Sequence, residues 1–230
     1  MATRLHFQSE IESLRAGMVE MASIVLNQVE RAVAAWDSMD AGAAEMVLLG
    51  DDRVDERCAT LDMKIFDIQL LEAPVASDQR LLHVGLIAVV ALERVGDLAV
   101  AIAQLTLGQR PENAIPEVQQ LIGRMSAQAV DTLAVAVQAI ARSDVELGDR
   151  AIRQAAAVRQ MLDDVLEAVG TATNEPATRS WGASAVLMAR HLERVANNGS
   201  ELGGRVRFLV TGEPFIHQPT LPGSVARGGS

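Results

Sequence analysis

The sequence predicts an all-α fold of two tandem three-helix bundles related by an internal repeat. Three observations carry this. Leu92-Glu93-Arg94-Val95 recurs as Leu192-Glu193-Arg194-Val195, 100 positions on, each time late in a long apolar pattern of helical period. Hydrophobic residues make up 49% of the 230-residue chain but aromatics only 3%, with no Tyr, so the core must be aliphatic, which suits close-packed helices better than a sheet. No Asn-Gly or Asp-Gly turn separates alternating segments, so no hairpin is signalled.

Six helices follow in order. The first spans about Ser9 to Trp36, with Ile11, Leu14, Met18, Met21, Val25 and Val29 on one face and Ser9 with Glu12 as a capping box. The second is capped by Asp40 and continues to about Leu71, where Pro74 interrupts. The third starts near Asp78 and stops at Gly108 and Pro111. The fourth spans about Glu112 to Arg142. Asp144 caps the fifth, which ends near Gly170, and the turn formers Thr171 to Pro176 follow. The sixth spans about Ala177 to Thr211, before Gly212 and Pro214. Ala32-Val33-Ala34-Ala35, followed by Asp40, aligns with Ala136-Val137-Gln138-Ala139, followed by Asp144, at an offset of 104. The expected organisation is a first bundle over 1–109, a second over 110–213, and a disordered tail over 214–230, which holds Pro219, Pro222, Gly223, Gly228 and Gly229 without periodicity.

Composition excludes several classes. The net charge is −10, Lys64 is the only lysine and no basic run exists, so nucleic acid and anionic membrane surfaces are poor partners. Cys58 stands alone, which rules out an intrachain disulfide and argues against a cysteine-based zinc site. The N-terminus does not read as a signal peptide. The most apolar stretch, Leu81 to Leu92, is shorter than the roughly 20 residues a membrane span needs. A cytoplasmic location is expected.

The chemistry-bearing residues are acidic. Glu93 and Asp97 lie four apart on one helix face, and so do Asp51 and Asp55, with Asp52 alongside. Two carboxylates on each of two helices can offer oxygen ligands to a hard cation, which would relieve their mutual repulsion. Two other readings stay open: solvated charges paired with neighbouring arginines, and a buried ion pair between Glu93 and an Arg across helices. In the second copy the offset of 104 places Ala155 opposite Asp51 and Arg159 opposite Asp55, and the offset of 100 at the Leu-Glu-Arg-Val motif places Asn197 opposite Asp97. Only Glu193 keeps its acid, so a site there is expected to be empty or weak. His6, His83, His191 and His217 form no Glu-x-x-His pair of the di-iron carboxylate type. No phosphate-binding glycine loop, nucleophile elbow or Cys/His/Asn set is present, so the chain is not expected to be an enzyme.

The segment Glu93-Arg94-Val95-Gly96-Asp97-Leu98-Ala99-Val100-Ala101-Ile102-Ala103 resembles the signature of the PhoU family of phosphate-uptake regulators. So does Pro74-Val75-Ala76-Ser77-Asp78-Gln79-Arg80, and Gly50-Asp51-Asp52-Arg53-Val54-Asp55 resembles the family's second-helix Asp-x-x-x-Asp. The ending Gly204-Arg205-Val206-Arg207-Phe208-Leu209-Val210-Thr211-Gly212 is similar to actinobacterial members. The resemblance covers about residues 5–213. It implies two three-helix bundles side by side, a homodimer or higher oligomer, and carboxylate-bound metal, a divalent or trivalent ion (Mg, Mn, Fe, Zn or Ca). It also implies a non-enzymatic role: coupling a phosphate ABC transporter, through its ATPase subunit, to a phosphate-sensing histidine kinase so that the starvation response stays repressed. Carried over by position, the metal ligands are Asp51, Asp55, Glu93 and Asp97, with Glu193 alone in the second copy. The rival functions are a carboxylate-bridged metal-dependent enzyme and a metal-free helical scaffold.

Overall fold

A computed structural model describes residues 2–72, 74–108, 113–172 and 176–213. Those residues form seven helices and no strand: α1 (Ala2–Ser38), α2 (Ala41–Leu48), α3 (Asp52–Glu72), α4 (Ser77–Thr106), α5 (Pro116–Arg142), α6 (Val145–Ala172) and α7 (Pro176–Thr211). The expected boundary at 109/110 and the expected tail over 214–230 lie outside the described residues.

Two expectations need correction. The helix expected from Asp40 to Leu71 is two helices, because the chain breaks at 49–51. The Gly50 N–H turns back to the Val47 carbonyl at 3.1 Å, and the Asp51 carbonyl then accepts from Val54 at 2.8 Å to start α3. Gly favours leaving a helix, and Asp51, Asp52 and Asp55 favour the positive N-terminal end of the next one. The first helix begins at Ala2, so Ser9 is an interior residue of α1 and caps nothing.

The repeat is visible in the backbone punctuation. Met39 and Ser143 both take left-handed φ (52° and 53°), and each precedes a capping aspartate. Asp40 accepts from the Ala43 N–H at 3.0 Å, and Asp144 accepts from the Glu146 and Leu147 N–H groups at 2.9 and 3.1 Å. Gly108 and Gly212 then end α4 and α7 with φ of 82° and 80°, which only glycine adopts without strain.

Helices α1, α3 and α4 pack together, with α2 laid across α1 and α4; α5, α6 and α7 pack together likewise. The two sets join along α4 with α7 and α1 with α5, and their aliphatic residues form one continuous core. Polar contacts clasp the seam. The Arg15 guanidinium donates to the last carbonyls of α5, Ile140 at 3.2 Å and Ala141 at 3.1 Å, and Arg80 donates to the Leu209 carbonyl near the end of α7 at 3.1 Å. At the other end of the seam Trp36 and Trp181, both buried, lie with ring centroids 5.9 Å apart. In the second set α6 and α7 touch backbone to backbone: a Cβ on Gly203 would sit 2.6 Å from the Gly148 carbonyl oxygen, so only glycine fits.

Candidate functional site

Asp51 flanks the N-terminus of α3, Asp55 lies in its first turn, and Glu93 and Asp97 stand one turn apart on α4. The two helices run antiparallel, with Ile65 against Gly85 and Val54 against Gly96, which brings both acidic pairs to one end of the α3/α4 face. A Cβ on Gly96 would come within 3.1 Å of Val54 Cγ1, so the glycine permits this close approach. Asp51 and Glu93 are half-buried, while Asp55 and Asp97 are exposed.

Electrostatics tie the four together. Burial raises the Asp51 carboxyl above its ordinary value; the Gln28 hydrogen bond offsets part of this, and the charges of Asp55, Asp97 and Asp52 add to it. Burial also raises Glu93, reinforced by Asp97 and Asp55, opposed by Arg94, and reinforced again by Asp51. Among the described residues none of the four forms a salt bridge, so the pairing of Glu93 with an arginine across helices is not what this repeat does.

Whether this set suits a metal has two sides. The donors are all carboxylate oxygens, the type a hard cation takes, and their mutual repulsion is the force a cation would relieve. Yet among the described residues no three His, Cys, Asp or Glu groups converge closely enough to hold an ion. The donor chemistry fits; a cation would still have to draw these side chains inward.

The second repeat solves the same problem differently. Glu193, on α7, is 5% exposed. Its carboxylate lies 3.6 Å from Arg159 Nε on α6 and 2.5 Å from Arg190 Nη1 one turn back. Arg159 Nη2 also donates to Asn197 Oδ1 at 3.4 Å. A guanidinium therefore stands between α6 and α7 where the first repeat presents Asp55, and the internal ion pair considered for Glu93 is realised at Glu193. A metal bound by Glu193 would have to displace both arginines.

One residue escaped the sequence reading. Gln28 of α1 is 7% exposed, and its Nε2 donates to Asp51 Oδ1 at 3.5 Å. Its Oε1 is buried without a partner and would lie 3.6 Å from a Cβ on Gly96. The signal was available: position 28 falls on the apolar face of α1, three residues after Val25 and seven after Met21, where an amide is out of place unless it bonds something.

Fold and site together define a class: an all-helical bundle protein of two repeats, whose first carries an acidic face with no salt bridge among the described residues and whose second has filled the same position with arginine. Comparison with known proteins makes this specific. Residues 18–106, from the middle of α1 to the end of α4, match the PhoU domain model. Similarity to PhoU proteins extends over most of its length. It is 27% identical over 214 residues to the phosphate-specific transport system accessory protein PhoU of Escherichia coli K12, covering 92% of this chain and 88% of that one. It is 28% identical over 220 residues to PhoU homolog 1 of Mycobacterium tuberculosis H37Rv, covering 91% and 95%. The crystal structure of PhoU from Pseudomonas aeruginosa superposes with a TM-score of 0.82 at 26% identity, over 90% of this chain and all of that one. The matched domain is the repeat that kept its acids; the arginine-filled repeat lies beyond it.

Proposed function

We propose that this chain is a non-enzymatic accessory regulator of a phosphate transport system. On this reading it works in the cytoplasm as a homodimer and binds the ATPase subunit of a phosphate ABC transporter and a phosphate-sensing histidine kinase. In doing so it keeps the starvation response repressed while phosphate is plentiful. The observation that carries it is the likeness in architecture and sequence, along nine-tenths of the chain, to proteins named as accessory proteins of that transport system. The helix faces supply docking surface. A cation on Asp51, Asp55, Glu93 and Asp97 would neutralise one end of the α3/α4 face and fix the spacing of those helices; Arg159 does this permanently in the second repeat.

Purified protein is expected to capture the transporter ATPase subunit and the sensor kinase in a pull-down. Deletion of its gene is expected to raise a starvation-response reporter in phosphate-rich medium. Capture of neither partner, with an unchanged reporter, overturns the reading.

A further inference from the structure

The α3/α4 face continues past its acidic end into an apolar groove. Met63, Phe66 and Leu70 fall at i, i+3 and i+7 on α3 and are 56%, 55% and 67% exposed. Leu86 and Val90, four apart on α4, are also exposed. The buried contacts of α3 come instead from Val54, Leu61, Ile65 and Ile68. A groove of about 270 Å³ runs between Met63, Phe66, Leu86, Ile65, Gln69 and Asp62. Apolar side chains gathered in this way on a surface mark a contact site.

Groove and acidic face are one surface. Asp62 lines the groove, two turns along α3 from Asp55. The half-buried Cys58 lies between them: burial raises its thiol, and Glu93, Asp62 and Asp55 raise it further. The single lysine of α3, Lys64, is turned away to Glu10 and Ser13 of α1. The surface is thus apolar at one end and anionic at the other, and its charge names its occupant. A second copy would set acid against acid on a chain of net charge −10.

We propose that this groove docks an amphipathic helix of a partner protein, with apolar side chains seated on Phe66 and Leu86 and arginine or lysine side chains over Asp62, Asp55 and Glu93. The proposal rests on the regulator reading above and gives that reading a docking face. The partner's basic side chains and a divalent cation draw on the same carboxylates, so each displaces the other.

The test uses the full chain and a synthetic helical peptide of about 18 residues, two leucines four apart and three arginines two turns further on the same face, titrated by calorimetry. A control peptide carries glutamates in place of the arginines. The arginine peptide is expected to bind about ten-fold or more tighter than the control, and Phe66→Ser, or Asp55→Asn with Asp62→Asn, each to weaken it about ten-fold. Magnesium is expected to weaken it more than sodium chloride of equal ionic strength. All substituted residues are exposed, and circular dichroism checks that the variants fold. Equal binding of the two peptides, or variants that bind like wild type, overturns the proposal. So does a wild-type dimer that Phe66→Ser converts to monomer, which assigns the face to a second copy. Failure of the peptide with intact capture of the transporter ATPase removes this face and leaves the regulator reading standing; binding of the peptide with no capture of either named partner does the reverse.

Discussion

Arg159 lies 3.6 Å from Glu193 at the position in α6 that Asp55 holds beside α4 in the first repeat. One copy of a duplicated unit thus pairs its acid with a guanidinium from the facing helix, and in the other, among the described residues, the four carboxylates form no salt bridge. Arg159→Ala is expected to lower stability by about 1 kcal/mol, a modest figure because Arg159 is partly exposed and Glu193 keeps Arg190. Thermal unfolding would shift by about 2–4 °C. Arg159→Asp combined with Asn197→Asp is expected to lower stability further and to make the melting point rise on addition of magnesium or calcium by more than it does in wild type. An unchanged cation response would show that the guanidinium does not stand in for an ion.

Acidity should stabilise the first repeat in the absence of metal. Burial and neighbouring charge raise Asp51 and Glu93 from ordinary values of 3.8 and 4.5. Between those values and the raised ones, the native state holds more protons than the unfolded chain. Stability therefore falls as pH rises through that window, and the full penalty stands once pH exceeds the raised values. With chelator present, Glu93→Gln is expected to melt about 1–2 °C above wild type at pH 7 and level with it near pH 4. A variant that melts lower at pH 7 would mean Glu93 has a stabilising partner.

Metal content discriminates between regulator, enzyme and scaffold. Protein purified without chelator is expected to retain a hard cation by elemental analysis, and Glu93→Gln with Asp97→Asn to lose it. Equal content in the two proteins would remove the four carboxylates as a cation site and favour a metal-free scaffold.

Gly203→Ala should be as damaging as Gly148→Ala, whose added Cβ would sit 2.5 Å from the Gly203 carbonyl oxygen. The methyl added at Gly203 would meet the Gly148 carbonyl oxygen at 2.6 Å, and neither backbone can move without parting α6 from α7. A loss of about 2–3 kcal/mol is expected in chemical denaturation. Gly123→Ala on α5, where an added Cβ meets nothing within 4 Å, is expected to be neutral or slightly stabilising.

The periodic faces of α1, α4, α5, α6 and α7 were legible in the sequence because burial of Leu, Val, Ile and Ala at helical spacing is a local pattern. Asp40 and Asp144 were legible as caps because a short acceptor before an apolar run has little other use. The break at 49–51 was missed because Gly50 interrupts an otherwise continuous helical pattern, and a lone glycine is tolerated inside many helices. Ser9 misled for the opposite reason: a good capping box sat within a longer helix. At the site, the four acids and the departure at Arg159 were readable from spacing. The partners were not. Gln28 reaches Asp51 from another helix, and nothing in either local pattern links positions 23 residues apart. Nor did spacing reveal that Arg190 would join Arg159 on Glu193, since that depends on how deeply α7 is buried.

Trp36 and Trp181 are the only tryptophans in a chain without tyrosine, and they face each other across the junction of the two repeats. Intrinsic tryptophan fluorescence therefore reports on that one joint. A ligand that hinges the halves apart would alter the emission of the unlabelled protein, while one that leaves the joint closed would be optically silent.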